Sequence, residues 1–427
     1  MIALSMFVVV LALLLVGIPV AFVFGTVAIA FAFLVPEVGI AIFDVLPFRI
    51  FGIMSNTTLM AVPLFIAMGL VLEKSKMAER LLVSMSALFA NVRGGLAVSV
   101  VLVGALLAAS TGIVSASVVM MSVIALPLML KAGYDKSLAS GTVAASGTLG
   151  QIIPPSIILI ILGDVMSVSV GELFMGAVLP GLLLVGLYIT YILIYAYFSP
   201  TVAPIAKDIQ KVSMKEIILS IVPPLLLMVS VLGSIFAGIA SPTESAAFGV
   251  IGAVLLSVLN KSLSFEMLKY ASLETVKLSG MIFMILIGAT AFSLVFNELG
   301  GTDLIVEFFS EDIGDVWIFI AISMVSIFIL GFFIDFIEIS FIIVPILVPV
   351  MNAFGIDPIW FAVLIALNLQ ASFLTPPFGL SLFFLKGAAG DTIKTIQIYK
   401  GIIPFIFLQL LGLGLVIMFP NLVFAFI

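Results

Sequence analysis

Residues 147–156 read GTLGQIIPPS, and a second pair of adjacent prolines occurs at residues 372–379, which read SFLTPPFG. Proline has no backbone N–H, so each pair removes helical hydrogen bonds to carbonyls four residues earlier. Both stretches lie inside long apolar runs, which predicts two interrupted helices at membrane depth. The carbonyls expected to lose their helical partners are those of Gly150, Gln151, Ser372 and Phe373.

The two stretches belong to an internal repeat. With an offset of 222 residues, positions 127–155 align with positions 349–377 without gaps, and seven of the 29 pairs are identical. Average residue usage gives about two identities by chance over this length. A looser likeness relates residues 55–57 to residues 241–243 at a different offset. The identical pairs are Pro127 and Pro349, Met129 and Met351, Gly133 and Gly355, Asp135 and Asp357, Ala144 and Ala366, Pro154 and Pro376, and Pro155 and Pro377.

The composition is that of a membrane protein. Hydrophobic residues make up 64% of the 427 positions and charged residues 9%, against about 25% charged residues in an average soluble domain. Long unbroken apolar runs favour spanning helices over the alternating strands of a barrel. The chain contains no Cys and no His, which excludes zinc centres, thiol nucleophiles, haem ligation by His and His-based triads, and predicts no bound cofactor. It has no basic patch, so we expect no nucleic-acid partner.

The distribution of charge predicts the topology. Both ends of the segment 93–133 are basic, both ends of the segment 316–354 are acidic, and no Lys or Arg occurs between Lys277 and Lys386. Because cytoplasmic loops carry the excess of Lys and Arg, the first segment is expected to enter and return at the cytoplasmic face and the second at the opposite face. The segments expected to cross once are 137–168, 171–198, 217–239, 242–259, 279–297, 358–385 and 401–420.

Residues 1–35 contain no Lys or Arg. They therefore lack the basic region of a cleaved signal peptide, and we expect them to be retained. As one helix they would extend about 50 Å, so this segment is either a tilted helix or two helices broken near Gly17-Ile18-Pro19.

These patterns predict an all-α polytopic membrane protein built from inverted repeats, each with a re-entrant helical hairpin and a broken transmembrane helix. The amphipathic stretches 76–92 and 264–277 are expected to be interfacial helices. The predicted division is scaffold 1–92, transport unit 93–168 with hairpin 97–131 and broken helix 137–168, scaffold 169–315, transport unit 316–390 with hairpin 317–353 and broken helix 358–385, and a C-terminal helix 391–427.

Polar residues concentrate at the two hairpin turns and the two helix breaks. The first hairpin turns within residues 109–117, which read ASTGIVSAS, and the second carries Asp335 and Glu338 within residues 331–340. Carboxylates at bilayer depth are costly and mark functional sites, although Glu338 alternatively bonds a helix terminus. Free carbonyls and hydroxyls are ligands for a hard cation, and half-helix N-termini attract an anion. Glu244 is expected to cap the N-terminus of a helix.

Four motifs resemble the large membrane subunit of tripartite ATP-independent periplasmic (TRAP) transporters. They are GTLGQIIPPS at 147–156, SNTTLMAVPLF at 55–65, SPTESAAF at 241–248 and the second Pro-Pro stretch. The resemblance covers essentially the whole chain. It implies a sodium-coupled secondary-active importer with an elevator-type fold, similar to divalent anion/sodium symporters, in which hairpin tips and broken helices hold sodium ions with the substrate between them.

The resemblance, carried over by position, implies two sodium sites and a substrate site. The first sodium site is expected at Ser110, Thr111, Gly112, Gly147, Gly150 and Gln151. The second is expected at Asp335, Glu338, Ser372 and Thr375. The substrate is expected at Ser115, Thr148, Pro154, Pro155, Pro376, Pro377 and Gly379.

The same family resemblance implies partners and a location. A periplasmic binding protein would deliver the substrate, and a small four-helix membrane subunit would pair with this chain as a separate polypeptide, because 427 residues leave no room for a fused one. The substrate is expected to be an organic acid, of the sialic acid (N-acetylneuraminate) or C4-dicarboxylate type. Sodium is the expected coupling ion, and the expected location is the bacterial inner membrane.

Three other functions are weighed against transport with a binding protein. A self-sufficient sodium/dicarboxylate symporter would share the fold. An intramembrane aspartyl protease needs two facing aspartates, whereas Asp335 lies in a predicted turn and Asp164 at a membrane edge. A channel would show continuous polar lining, whereas polarity here is confined to two turns and two breaks. Confined sites favour alternating access, with units 93–168 and 316–390 moving together against the remainder.

Overall fold

The computed structural model describes residues 2–36, 38–111, 114–205 and 212–427, except for the side chains of residues 108–111 and Asp312. Every regular element in these ranges is helical. The α-helices are α1 (Ile2–Leu15), α2 (Val20–Leu34), α3 (Leu46–Met54), α4 (Ala61–Lys74), α5 (Met77–Leu88), α6 (Gly95–Thr111), α7 (Val114–Lys131), α8 (Lys136–Thr148), α9 (Ile157–Val165), α10 (Val170–Phe198), α11 (Met214–Phe236), α12 (Pro242–Leu259), α13 (Phe265–Glu298), α14 (Gly301–Glu307), α15 (Val316–Leu330), α16 (Phe336–Ala353), α17 (Pro358–Leu374), α18 (Leu380–Ala389), α19 (Thr395–Met418) and α20 (Asn421–Phe424).

The fold is that of a multi-pass membrane protein. Among the described residues, seven helices are long and apolar enough to cross a bilayer, namely α7, α10, α11, α12, α13, α16 and α19. Large apolar side chains are exposed on several of them, including Phe248, Val276 and Phe407 at 66%, 70% and 68% of their surface. A soluble protein would bury such side chains, whereas lipid accommodates them.

The internal repeat is longer in the structure than in the sequence. Shifting α7 by 222 residues reproduces both ends of α16, and the same shift overlays α6 on α15, α8 on α17, α9 on α18 and α10 on α19. Each repeat therefore contains a helical hairpin and a helix broken at its Pro-Pro pair, which confirms the predicted fold class. Both Pro-Pro peptide bonds are cis.

The identical residues between hairpin and broken helix form the same turn in both repeats. Gly133 and Gly355 have φ angles of 84° and 65°, in a region where only glycine is free of steric cost. Asp135 then accepts hydrogen bonds from the first N–H groups of α8, and Asp357 accepts one from α17. This capping starts the next helix at the same point of each repeat.

The two hairpins enter the bundle from opposite ends. We call the end that carries Lys131 and Lys136, between α7 and α8, the basic end, and the end that carries Asp357, between α16 and α17, the acidic end. The Nζ atom of Lys136 donates to the carbonyl of Thr392 at 2.9 Å, which places the connection between α18 and α19 at the basic end too. Broken helix α17–α18 therefore runs from the acidic end to the basic end, opposite to α8–α9.

The two repeats interlock. Helix α6 packs on α8 and α15 packs on α17, while α7 packs on α18 and α16 packs on α9, so the second arm of each hairpin lies against the other repeat. Helix α19 crosses α8 so closely that a Cβ atom on Gly141 would lie 2.1 Å from the carbonyl oxygen of Gly401. Helix α10 packs on α6, α17 and α19. These contacts place α10 and α19 beside the hairpins, whereas the predicted division assigns α10 to the scaffold and α19 to a separate C-terminal helix.

We call the remaining helices, other than α20, the scaffold; they include two close pairs, α2 with α13 and α4 with α12. Residues 1–35 form two helices, α1 and α2, with Gly17 at a φ of 88° between them. The stretch 76–92 contains α5, but 264–277 is the first part of the 34-residue helix α13 rather than a separate element. Thr243 Oγ1 donates to the carbonyl of Thr57 at 2.5 Å. Residues 55–57 and 241–243 therefore meet at one end of the molecule. Counterparts in an inverted repeat would lie at opposite ends, so the loose likeness between these two segments does not belong to the repeat.

Candidate functional site

Four helix N-termini meet at one cavity of about 100 Å³. Its wall includes the first residues of α7, α9, α16 and α18, which are Val114, Ile157, Phe336 and Leu380. Two of these helices begin at a hairpin turn and two begin after a Pro-Pro break. The first N–H groups of a helix have no partner within it, and the helix dipole places about half a positive charge there. The arrangement therefore favours a negatively charged group in the cavity.

The helices that follow the two breaks begin without side-chain caps. Ser156 precedes α9, and serine commonly accepts a hydrogen bond from the first turn of a helix. Its hydroxyl instead donates to the carbonyl of Gln151 at 2.7 Å, and it makes no cap bond to α9. Gly379 precedes α18 and has no side chain to offer. The N–H groups at the starts of α9 and α18 are therefore left available to a ligand.

The start of α16 is capped by two carboxylates. Asp335 Oδ1 accepts from the Phe336 N–H at 2.7 Å, and Glu338 Oε2 accepts from the Asp335 N–H at 2.8 Å. The Asp335 side chain also accepts from the Glu338 N–H, which together with the Asp335 N–H bond to Glu338 completes a capping box, so Glu338 bonds a helix terminus, the alternative that the sequence left open. Asp335 lines the cavity, and its negative charge lies at the N-terminus of α16.

The turn of the second hairpin packs directly on the second break. A Cβ atom on Gly331 would lie 2.1 Å from Ser372 Oγ, so only glycine fits there. The rings of Phe333 and Phe378 lie 5.2 Å apart between their centroids. The turn that carries the hairpin carboxylates is therefore in contact with the break that carries Ser372.

The hydroxyls of the second break keep acceptor capacity. Ser372 Oγ donates to the Leu369 carbonyl and Thr375 Oγ1 donates to the Ala371 carbonyl, both at 2.8 Å. A hydroxyl has one hydrogen and two lone pairs. Since each hydrogen is used within the helix, each oxygen can still coordinate a cation.

Three of the carbonyls that were expected to be free have other partners, so that expectation is wrong for them. The Gln151 carbonyl accepts from Ser156, and the Phe373 carbonyl accepts from Ser381 Oγ at 2.6 Å. The Ser372 carbonyl accepts from the Thr375 N–H at 3.0 Å. Proline removes the helical partner, but a buried carbonyl is rarely left unbonded. Gln151 and Phe373 are counterparts in the repeat, so both repeats cap the same carbonyl with a serine hydroxyl.

The first break contains a buried amide without a partner. The Gln151 side chain is 1% exposed, and neither its Oε1 nor its Nε2 atom has a hydrogen-bond partner within the described structure. Gly147, on the same segment, lies so close to Val118 of α7 that an added Cβ would be 2.6 Å from Val118 Cγ2. Of the other residues predicted for this site, Gly150 lies beside Gln151, while the side chains of Ser110 and Thr111 and the whole of Gly112 lie outside the described residues.

One hydrogen bond marks the approximate two-fold axis between the repeats. Gln370 Nε2 donates to Thr148 Oγ1 at 3.5 Å, and these residues are 222 positions apart, which is the repeat offset. A residue that contacts its own counterpart lies next to the symmetry axis. Both side chains are fully buried, so the axis passes through the interior between the two breaks.

Only part of the predicted substrate site borders the cavity. Ser115 lines it, together with Asp335 from the predicted second sodium site. The scaffold wall of the cavity was not predicted from the sequence; α4 and α13 supply it through Ile66, Leu278, Met281 and Ile282. These side chains are apolar, and nothing in a hydrophobic sequence separates them from lipid-facing ones. The remaining predicted residues lie in or beside the breaks but outside the described cavity lining, namely Thr148, Pro154, Pro155, Pro376, Pro377 and Gly379.

Comparisons with known proteins identify the family of the chain. The family described as "Tripartite ATP-independent periplasmic transporter, DctM component" matches residues 7–422. The chain is 30% identical to the C4-dicarboxylate TRAP transporter large permease protein DctM of Rhodobacter capsulatus, covering 93% of each chain. It is 33% identical to the ectoine large permease TeaC of Halomonas elongata over 85% of this chain and 84% of that one, and 29% identical to the sialic acid large permease SiaM of Vibrio cholerae over 96% and 95%.

A solved structure supports the fold. The YdaH transporter of Alcanivorax borkumensis superposes with a TM-score of 0.60 over 89% of both chains, at 15% sequence identity. At that identity the likeness concerns the fold alone. The family match and the relatives nevertheless cover nearly the whole chain, so the protein belongs to the DctM component family of tripartite ATP-independent periplasmic transporters.

Proposed function

We propose that the chain imports a small organic acid together with sodium, across a bacterial inner membrane, as the large subunit of a TRAP transporter. The observation that carries the proposal is the meeting of four helix N-termini at one cavity, beside the partly buried carboxylate of Asp335. Named substrates of the relatives include C4-dicarboxylates, sialic acid, isethionate and ectoine, each of which carries a carboxylate or sulfonate group. The cavity lining contains no Arg or Lys among the described residues, so backbone N–H groups are the proposed anion ligands.

The polar groups around the cavity support two cation sites of different character. Near the second break, Asp335 offers a carboxylate, and Ser372 and Thr375 offer hydroxyl oxygens. Near the first break, Gln151 offers an amide oxygen without a partner. Within the described chain, no three Asp, Glu, His or Cys side chains are grouped as a metal site. Mixed neutral oxygens with at most one or two carboxylates suit a monovalent hard cation better than a divalent one.

The position of Asp335 suggests how the two solutes are coupled. Its carboxylate occupies the start of α16, where an anion would otherwise be attracted, and it faces the same cavity. An empty sodium site therefore presents a negative charge that repels the substrate at close range. Sodium at Asp335 cancels that charge, so we propose that sodium binds before the anion.

The packing supports an elevator movement. The cavity wall combines the interlocked repeats with Ile66 of α4 and with residues of α13 from the scaffold. We propose that the interlocked repeats, together with α10 and α19, move as one body along this scaffold wall. A periplasmic binding protein and a separate small four-helix membrane subunit are the proposed partners, the first to deliver substrate and the second to extend the scaffold.

The test is uptake by proteoliposomes that contain this chain and its small subunit, under an inward sodium gradient, with radiolabelled N-acetylneuraminate and succinate offered separately. We expect accumulation of one label that requires both sodium and the cognate binding protein. Uptake without the binding protein would instead identify a self-sufficient symporter. Uptake that does not depend on the sodium gradient would contradict the two proposed sodium sites.

A further inference from the structure

A polar bridge joins the scaffold to the interlocked repeats at the acidic end. Asn56, in the connection before scaffold helix α4, donates from Nδ2 to Oδ1 of Asp164 at 2.5 Å. Asp164 lies in the last turn of α9, which follows the first Pro-Pro break. The two residues are 108 positions apart and both are partly buried. The bond therefore connects a fixed part of the molecule to the part that is proposed to move.

The Asn56 amide is held in place for this contact. Its Oδ1 atom accepts from the N–H groups of Thr58 and Leu59 at 2.9 and 3.3 Å. Because these two bonds fix the oxygen, the Asn56 side chain already has the conformation in which its NH₂ group points at Asp164. A hydrogen bond to a carboxylate is roughly twice as strong as a neutral one, and the ordering entropy has already been lost in the scaffold loop.

A second scaffold motif braces the same loop. Thr243 Oγ1 donates to the carbonyl of Thr57 at 2.5 Å. Ser241 and Glu244 form a reciprocal capping box at the start of α12, as expected for Glu244, and so fix the position of Thr243. The motifs at 55–65 and 241–248 thus meet at this loop, although neither contributes a polar side chain to the central cavity.

The contact has room to open. A second cavity of about 370 Å³ lies beside it, lined by Thr58, Asp164 and Pro242 and by residues 167–171. Water entering this space can replace the hydrogen bonds of Asn56 and Asp164 once they separate, so breaking the bond leaves no buried group without a partner.

We infer that Asn56 and Asp164 form a latch that holds the interlocked repeats against the scaffold in the present state and opens during each transport cycle. This inference rests on the proposed elevator movement. The latch sets the population of this state relative to the other, because its hydrogen bond exists in one state only.

The test is the distance between two spin labels in the reconstituted complex, measured by pulsed electron paramagnetic resonance. The chain has no native Cys, so labels attach only at introduced positions. Ile239 of the scaffold and Met418 of α19 are 81% and 72% exposed at the acidic end. We expect two distances in the wild-type background, with a ratio that responds to sodium and substrate.

Asn56→Ala and Asp164→Ala are each expected to lower the ratio of the present state to the other state by about tenfold or more, as for the loss of one hydrogen bond to a charged group. The double variant should add little to either, and Asp164→Asn, which keeps an acceptor oxygen, should restore part of the population. Ser169→Ala is the matched control, because Ser169 borders the same cavity but its hydroxyl accepts from its own helix.

The outcomes separate the two proposals. A single distance under all sodium and substrate conditions would overturn the elevator movement itself. Two distances whose ratio is unchanged in Asn56→Ala and Asp164→Ala would overturn the latch while leaving the movement intact. Equal shifts in the control and in the latch variants would also overturn it.

Discussion

The two repeats share one backbone and differ in their polar side chains. In both, a glycine with positive φ and a capping aspartate connect hairpin to broken helix, and a serine hydroxyl bonds the same carbonyl at the break. At the position of that carbonyl, however, the first repeat has the polar Gln151 and the second has Phe373. The second hairpin carries two carboxylates at its turn, whereas the first, in residues 109–117, carries none.

We call the features that both repeats share, namely the turn glycine, the capping aspartate and the serine-bonded carbonyl, the frame. Both repeats keep these features because backbone geometry requires each of them. The side chains that differ between the repeats are the ones proposed to bind the solutes. The ligands can differ, so two pseudo-symmetric sites acquire unequal charge. The charged site, at Asp335, is therefore expected to govern coupling, and the neutral site, at Gln151, to adjust sodium affinity.

Asp335→Asn is expected to have the largest effect. Asparagine still caps a helix, so the fold should persist while the charge is lost. Uptake should fall to near background, and substrate binding should lose most of its sodium dependence, because the repelling charge is gone in either condition. Isothermal titration with and without sodium measures this directly.

The control for that variant is Glu172→Gln, which changes an exposed carboxylate in the first turn of α10, outside the cavity lining. Sodium-dependent binding in Asp335→Asn that matches the wild type would contradict the unequal roles of the two repeats.

Gly331→Ala tests the close contact that is specific to the second repeat. The φ of Gly331 is −65°, which any residue adopts, so only the space beside Ser372 is at issue. Overpacking of this kind costs about 1–3 kcal/mol of stability. Thermal unfolding in nanodiscs should show the loss.

Gly186→Ala in α10 is the matched control, because no atom lies within 4 Å of its added Cβ. Alanine is favoured over glycine within a helix by about 0.5–1 kcal/mol, so this variant should be stabilised. A loss of stability in both variants would mean that the contact at Ser372 is not responsible.

Gln151→Met sharpens the comparison at the neutral site. Removing a buried amide that has no partner should leave stability unchanged or raise it by about 1 kcal/mol. If the amide oxygen binds sodium, the sodium concentration for half-maximal uptake should rise by about three- to tenfold, the effect of one lost neutral ligand.

Gln409→Met provides the contrast, because Gln409 is equally buried but bonds Tyr188 and the Leu367 carbonyl. Its loss should destabilise the protein by about 1–3 kcal/mol. An unchanged sodium concentration for half-maximal uptake in Gln151→Met would show that Gln151 does not bind sodium.

Asp135→Ala and Asp357→Ala test the shared frame and should have the smallest effects. Each removes a helix cap at an equivalent position, and such a loss costs about 1 kcal/mol. Asp135 should cost slightly more, because it accepts from two N–H groups and Asp357 from one. Unfolding midpoints measure both, and strongly unequal losses would contradict a common frame.

The sequence predicted the fold well where backbone chemistry leaves a mark. Proline pairs, a turn glycine and a capping aspartate identify the breaks and the repeat, since each is tied to a specific backbone geometry. The packing of α10 and α19 on the hairpins could not be predicted from the sequence, because helices in a membrane pack through apolar and small residues that resemble lipid-facing ones. The close contact of Gly141 with Gly401 is one such case.

The site was predicted less completely than the fold. Asp335 and Ser115 stand out as polar residues in apolar surroundings, and both line the cavity. The partners of the carbonyls at the breaks could not be predicted, because they depend on hydroxyls such as Ser381 that lie eight residues away across an irregular segment. The scaffold wall and the contact of Asn56 with Asp164 depend on tertiary packing alone.

The most direct test of the central claim is the accessibility of Ser115→Cys from each side of the membrane. Ser115 lines the cavity, and the introduced thiol is the only one in the chain. With a membrane-impermeant maleimide applied to oriented proteoliposomes, we predict labelling from either side, with the ratio changed by sodium and with protection by substrate. Labelling from one side alone under every condition would contradict alternating access at this cavity.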